Sequence, residues 1–160
     1  MEIRKAETRD MDTLLVLFAN ARTFMAEHGN AVQWWGGYPT QEMLENDIRL
    51  NQLYVCQEDE TIHAAFVLAM GEDPTYQVIE GAWKNDSPYG TLHRIASSGK
   101  RRGMMDVIVR WTFDKTGNLR GDTHELNHPM QKAFERNGFE KCGVIYVEDG
   151  TPRIAYHKTK

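Results

Sequence analysis

Three cations and two glycines stand together in one short run of this chain: Ser97, Ser98, Gly99, Lys100, Arg101, Arg102 and Gly103. An apolar stretch of strand character precedes the run and an amphipathic stretch of helical spacing follows it, so it reads as a loop between strand and helix. The first amides of a helix have no internal partners and carry the positive end of the macrodipole. Glycine, lacking a Cβ, lets a ligand approach the backbone, and flanking cations add charge-assisted hydrogen bonds. Together these are the parts of an anion site, and a phosphorylated ligand is the expectation. The spacing fits neither GxxxxGK[ST] nor GxGxxG, which weighs against nucleoside triphosphates and dinucleotides. A solvated basic turn is the competing reading.

Two further groupings could carry chemistry. His124, Glu125, Leu126, Asn127 and His128 spell HExxH, a zinc-hydrolase signature that works only when both histidines lie one turn apart on a helix. Here His124 ends a predicted strand, Asn127 reads as a helix cap, and Pro129 biases His128 away from helical geometry. No metal is therefore expected, and a zinc hydrolase remains only as a weak alternative. Trp34, Trp35 and Tyr38 flank Gly36 and Gly37, and Tyr76 and Trp83 fall in a later irregular stretch. Large aromatics beside glycines can wall a small-molecule pocket, and they can equally be core.

These residues are positioned by a predicted order βααβββαβαββ. A strand at Glu2–Ala6 leads to a helix starting at Thr8 or Asp10, whose Met11, Leu14, Leu15, Phe18, Ala21 and Met25 share one face before Gly29. Thr40 caps a second helix. Leu53–Gln57 and Ile62–Met70 form a hairpin, and residues 71–90 read as a long irregular segment, a length usually reserved for function. Thr91–Ser97 is a strand, the helix from Met104 stops near Gly117, and Asn118–Thr123 is the next strand. Asn127 caps a last helix that Gly138 and Phe139 end in a Schellman-type stop, with Phe139 packing on Phe134. Cys142–Glu148 and Arg153–Lys158 flank an Asp149-Gly150 turn. The fold class is α/β, with a mixed, largely antiparallel sheet flanked by helices.

Composition sets the outer bounds. With 160 residues the chain suits a single domain over residues 1–160. A net charge of −4 opposes general nucleic-acid binding and makes the basic loop a local exception. No apolar run approaches a membrane span, and the charged first ten residues lack a signal-peptide core, so a cytoplasmic protein without membrane association is expected. Cys56 and Cys142 are too few for a disulfide framework.

The element order, the loop Lys100–Met105 and the set Asn127, Met130, Ala133, Phe134, Gly138 and Phe139 resemble the GNAT superfamily of N-acetyltransferases over nearly the whole chain. That resemblance implies a GNAT-like acyl-CoA N-acyltransferase fold with acetyl-CoA as co-substrate. The loop Gly99–Met105, with Lys100, Gly103 and Met105 at the motif positions, would hold the pyrophosphate through amides of Arg101, Arg102, Gly103, Met104 and Met105. Ile95, Ala96 and Ser97 would pair with the pantetheine arm, and Asn127, Met130 and Phe134 would lie near it. Two positions depart from the family: Met105 replaces a small residue, and Phe134 replaces a tyrosine that protonates the leaving thiolate. The implied reaction is direct attack of a primary amine on the thioester in a ternary complex. Glu125 and then Glu80 are the candidate bases, with Tyr146, Cys142 or a water as the acid. His93 reads as a core or rim residue. Trp34, Trp35, Tyr38 and Trp83 are candidates for the acceptor site, and a small-molecule amine is the favoured acceptor. A catalytically decayed acyl-CoA sensor is the alternative, and monomer and homodimer both stay open.

Overall fold

In the computed structural model, which describes all residues from Met1 to Lys160, internal packing divides the chain into two compact units. The first comprises Met1–Leu68 and His93–Met104, the second Ala69–Leu92 and Met105–Lys160. No helix is long and apolar enough to cross a membrane.

The first unit contains β1 (Glu2–Lys5), α1 (Met11–Glu27), α2 (Gln41–Arg49), β2 (Leu53–Glu58), β3 (Thr61–Met70, to Leu68) and the later residues of β5 (Gly90–Ser97). Its strand order is β1-β2-β3-β5, with β1, β2 and β3 antiparallel in sequence. The expected start of α1 at Thr8 or Asp10 resolves into a 3-10 turn over Thr8–Asp10, with the α-helix beginning at Met11. Asp10 holds that turn by accepting both Arg4 guanidinium donors at 2.9 Å and the Glu7 amide at 2.8 Å. Thr40 caps α2 as predicted, its hydroxyl accepting from the Met43 amide. Leu14, Leu17, Phe18, Leu44, Leu53, Val55 and Phe66 are buried.

One residue of this unit breaks the strand rule. Arg94, in mid-β5, takes φ +45°, a left-handed conformation that costs a side-chain-bearing residue about 1 to 3 kcal/mol. Its guanidinium is gripped twice by Asp47 of α2, Nε to Oδ2 and Nη2 to Oδ1, both at 2.8 Å. Asp47 is 2% exposed, so removing one partner strands a charge in low dielectric.

The second unit contains β4 (Glu80–Gly81), the start of β5, α3 (Met104–Thr116, from Met105), β6 (Asn118–Thr123), α4 (His128–Arg136), β7 (Glu140–Tyr146) and β8 (Pro152–Thr159). Its strand order is β5-β6-β8-β7-β4. The parallel β5–β6 ladder is two pairs long, Gly90 with Leu119 and Thr91 with Arg120, after which β5 continues in the first unit. Tyr76, Tyr89, Ile145 and Ala155 form a buried cluster with Trp83 packed against it.

The segment 71–90, read from sequence as irregular throughout, contains a 3-10 turn at Pro74–Tyr76 and the short strand β4. Much of the rest is held by side chains. Asn118 donates to the carbonyls of Ser87 and Pro88, Arg120 donates to that of Asn85, and His157 Nδ1 accepts the Lys84 amide. The Arg120 guanidinium lies between the rings of Trp83 and Tyr89, 4.2 and 3.9 Å from their centroids. Such contacts follow no periodicity, which is why the pattern of the segment shows none. The last hairpin also differs from expectation: β7 ends at Tyr146 and Asp149-Gly150 lies inside a longer connection. Asp149 accepts both the amide and hydroxyl of Thr151 in a local turn, and the Thr151 carbonyl accepts the Val147 amide at 3.0 Å.

Two stability predictions follow from buried polar groups. Asp47→Ala leaves the Arg94 charge without its carboxylate and should cost about 3 to 5 kcal/mol in urea denaturation; a loss below about 1 kcal/mol would mean that Arg94 finds another partner. His157 is fully buried, and burial, then the nearby Arg120 and Lys84 charges, push its pKa down to about 4. The unfolded imidazole takes its proton near 6.5, above the folded value, so this contribution is complete above that pH and lost as pH falls from about 6.5 to 4. The loss should reach about 3 kcal/mol, and His157→Gln should show a correspondingly shallower pH slope over that range.

Candidate active site

The basic loop is built within the first unit. β3 carries an irregularity opposite Cys56 and Gln57, where His63 drops out of register, and the His63 carbonyl accepts the Ser98 amide at 2.8 Å. The strand end and the loop start are thus tied to β3. Ser97 Oγ accepts from the Gly99 amide at 3.4 Å and Ser98 Oγ from the Lys100 amide at 3.2 Å. Arg101 turns back to Glu58 at 3.0 Å, which neutralises one of the three cations. Lys100 and Arg102 are exposed. Gly99 and Gly103 both adopt φ +76°, with no atom within 4 Å of the place a Cβ would take. Met104 is buried and begins α3; Met105 is half-buried.

The cofactor candidates are divided between the units. Ile95, Ala96, Ser97 and the loop to Met104 lie in the first, while Met105, Asn127, Met130 and Phe134 lie in the second. Asn127 is buried, and its Oδ1 caps α4 by accepting the Met130 amide at 3.2 Å. The predicted stop of α4 is present: Gly138 takes φ +86°, its amide donates to Glu135, and the Phe139 amide donates to Phe134. Phe134 is 1% exposed, stacked on Tyr156 and edge-on to Phe139, both at 4.8 Å. Gly121 of β6 admits this ring, since a Cβ there would meet Phe134 Cζ at 2.8 Å.

Glu80 and Tyr146 come together. The Tyr146 hydroxyl donates to Glu80 Oε2 at 3.0 Å, and that bond, foremost, raises the Tyr146 pKa. The two are aligned by a close pairing of β4 with β7, Glu80 with Val144 and Gly81 with Gly143. Gly143 has φ +145°, and a Cβ on it would meet the Glu80 carbonyl oxygen at 2.0 Å. The β7–β8 ladder shifts register between Lys141 and Gly143, and the Cys142 carbonyl accepts the Ala82 amide at 3.1 Å. Glycine at 143 was the available sequence signal for this arrangement, but a strand two residues long carries no periodicity.

Glu125 is exposed in the connection between β6 and α4, where its carbonyl accepts from Gln131. His128 is the first residue of α4, contrary to the expectation that Pro129 would exclude it; in a first turn the proline nitrogen has no intrahelical bond to lose. His124 lies before the helix, and its Nδ1 accepts the Leu126 amide. The HExxH residues therefore do not share a helical face.

The aromatic candidates have different surroundings, though Trp34 and Tyr38 lie ring to ring at 6.0 Å. Trp34 is buried against Phe18 at 5.8 Å, so it is core, whereas Trp35 is 71% exposed. The Tyr38 hydroxyl accepts from Arg94 Nη1 at 3.1 Å. Trp83 belongs to the second unit, where its indole donates to the Tyr76 carbonyl at 2.9 Å. Arg94, Asp47 and His63 were not singled out from sequence; no local pattern marks a charge pair 47 residues apart.

The chain aligns over 99% of its length, and 95% of the other's, with an acetyltransferase of the GNAT family from Streptococcus agalactiae, at 32% identity and a TM-score of 0.91. The chain belongs to the GNAT family. The fold is shared at lower identity by AAC(6')-Ib in complex with ribostamycin and coenzyme A (16%, TM-score 0.66, 99% and 92% of the two chains). It is also shared by a ribosomal-protein-alanine N-acetyltransferase from Brucella melitensis (16%, TM-score 0.62, both chains in full). No protein-family model and no curated protein matches the chain.

In this GNAT protein the glycine at 143 makes a direct prediction. Gly143→Ala should push β4 off β7 and speed exchange of the Ala82 amide by roughly tenfold or more, equivalent to about 1.4 kcal/mol of easier local opening. Exchange at the parental rate would show that the close approach does not hold Glu80 in place.

Proposed function

We propose that this protein is an acetyl-CoA-dependent N-acetyltransferase acting on the primary amine of a small molecule by direct attack in a ternary complex. The loop Ser97–Met104 carries this reading. Two left-handed glycines with open space at their Cβ positions, exposed Lys100 and Arg102, and the start of a 13-residue helix suit a diphosphate. When bound, acetyl-CoA supplies an acetyl group already activated as a thioester.

The residues of the chain do the rest. Lys100, Arg102 and the amides of Arg101–Met105 hold phosphate, and the backbone of Ile95–Ser97 pairs with the arm. The β5–β6 ladder ends at Thr91, before these residues. The family resemblance also assigns Asn127, Met130 and Phe134 to the arm. Glu80 takes the amine proton, directly or through water, and the Tyr146 hydroxyl bonded to it, with its raised pKa, remains protonated near neutrality as a donor. Glu125, the other candidate base, is exposed in the connection before α4. Phe134 has no proton to give and is buried between rings, which also favours the alternative of an acyl-CoA sensor without turnover. The similar structures include one in complex with ribostamycin and coenzyme A and one named a ribosomal-protein-alanine N-acetyltransferase, so the small-molecule assignment rests on the exposed Trp35 and the Glu80–Tyr146 pair of this chain.

Acetyl-CoA should raise the thermal midpoint of the wild-type protein, since a ligand bound only by the folded form stabilises it. Lys100→Glu with Arg102→Glu should weaken coenzyme A binding by roughly tenfold or more without lowering the ligand-free midpoint. No midpoint shift at saturating acetyl-CoA would overturn the binding reading. Thiol release against a panel of amines then separates enzyme from sensor.

A further inference from the structure

In the second unit, two buried polar atoms without a hydrogen-bonding partner in the protein belong to paired residues. They are Arg120 Nε and Thr91 Oγ1, and Thr91 stands opposite Arg120 in the parallel β5–β6 ladder. Arg120 is 5% exposed and Thr91 1%. Residues paired in a ladder project to the same face of the sheet, from strands roughly 4.8 Å apart, so both orphans lie on one buried face. Leaving either group unanswered costs free energy, and protein interiors answer such groups with protein atoms or with ordered water.

The surroundings define what can answer them. Because the rings of Trp83 and Tyr89 lie on either side of the guanidinium, 4.2 and 3.9 Å from its carbon, a ligand reaches Arg120 only in the guanidinium plane. Part of that plane is taken, since Nη2 donates to the Asn85 carbonyl at 2.8 Å. The neighbouring polar groups answer one another: His157 accepts the Lys84 amide and bonds to Asn118, which donates to the carbonyls of Ser87 and Pro88. What meets Nε must therefore be small, accept its proton and share a hydrogen bond with a hydroxyl. Two hydrogen bonds of about 2.8 Å meeting at one atom span about 4 to 5 Å, close to the strand spacing.

We propose that a single buried water molecule bridges Arg120 Nε and Thr91 Oγ1, accepting from the guanidinium and donating to the hydroxyl oxygen. Its place gives it a structural task. Thr91 and Arg120 are the last pair of a ladder two pairs long, and the water adds a side-chain rung where the backbone pairing stops. Arg120 carries that rung on to the segment 71–90 through Asn85, Trp83 and Tyr89. A halide could answer the same two groups, but Asp86 already lies close enough to act on the Arg120 charge, and a neutral ligand sets no second negative charge beside it. The water is independent of the acetyltransferase reading.

Thr91→Val keeps the shape of the side chain and replaces the hydroxyl by a methyl, and the sign of its effect decides. With the water in place, the substitution removes one of its partners, and the thermal midpoint of the full chain should fall by roughly 2 to 8 °C. With an unpartnered hydroxyl, the same substitution removes a buried orphan and the midpoint should hold or rise, which would overturn the proposal. A high-resolution crystal structure of the wild type should show one density peak in the guanidinium plane, within about 2.7 to 3.2 Å of both atoms. The peak should persist in Thr91→Ser, which keeps the hydroxyl, and be lost in Thr91→Val. No peak in the wild type overturns the proposal, as does an anomalous signal at that place in crystals soaked in bromide, which would make the ligand an anion. Should Thr91→Val not fold, the wild-type and bromide crystals decide alone.

Discussion

The buried grip of Asp47 on Arg94 is the constraint on which the first unit depends. An arginine in mid-strand at φ +45° is a local cost, and a carboxylate 2% exposed is another; each is tolerable because the other is present. Pairs of this kind contribute little net stability over an apolar substitute, since desolvation consumes most of their attraction. What they do contribute is a single answer: α2 must sit where Asp47 reaches both prongs of the guanidinium. The same grip gives the segment before α2 its orientation through Tyr38, so the helix, the aromatic segment and the kinked strand are set by one group.

A different solution holds the second unit. Between Trp83 and Tyr89 the backbone has little regular structure, and its polar groups are answered by Asn118, Arg120 and His157 from β6 and β8. Arg120 stabilises the rings it lies between by cation–π contact. The neutral state of His157 matters here. Its Nδ1 must accept from Lys84 while Nε2 faces Asn118 at 2.7 Å, and a protonated ring could not accept. Ordering of a long connection thus depends on a few buried side chains far away in sequence.

The Glu80–Tyr146 pair shows how a glycine can decide a site. β4 approaches β7 so closely at Gly81 and Gly143 that no side chain fits on either, and the exposed ends of the two strands then bring carboxylate and phenol together. Phe134 is set in an analogous way by Gly121. Backbone approach, not side-chain chemistry, fixes these places.

Helices, their caps and their stops were legible in the sequence because they are local. Asn127 and Thr40 cap the amides three residues on, Gly138 and Phe139 close α4 on Phe134, and the run of glycines and cations marks the loop between β5 and α3 within seven residues. The resemblance of these motifs to the GNAT superfamily agrees with the family to which the chain belongs. The left-handed turn at Arg94, the register shift at Cys142, the strand Glu80–Gly81, the core role of Trp34 against the exposure of Trp35, and the partners of Arg94, Arg120 and His157 were decided only by the tertiary structure. They depend on contacts between residues tens of positions apart, where pattern and propensity carry no information and only packing, charge and the satisfaction of buried polar groups select the outcome.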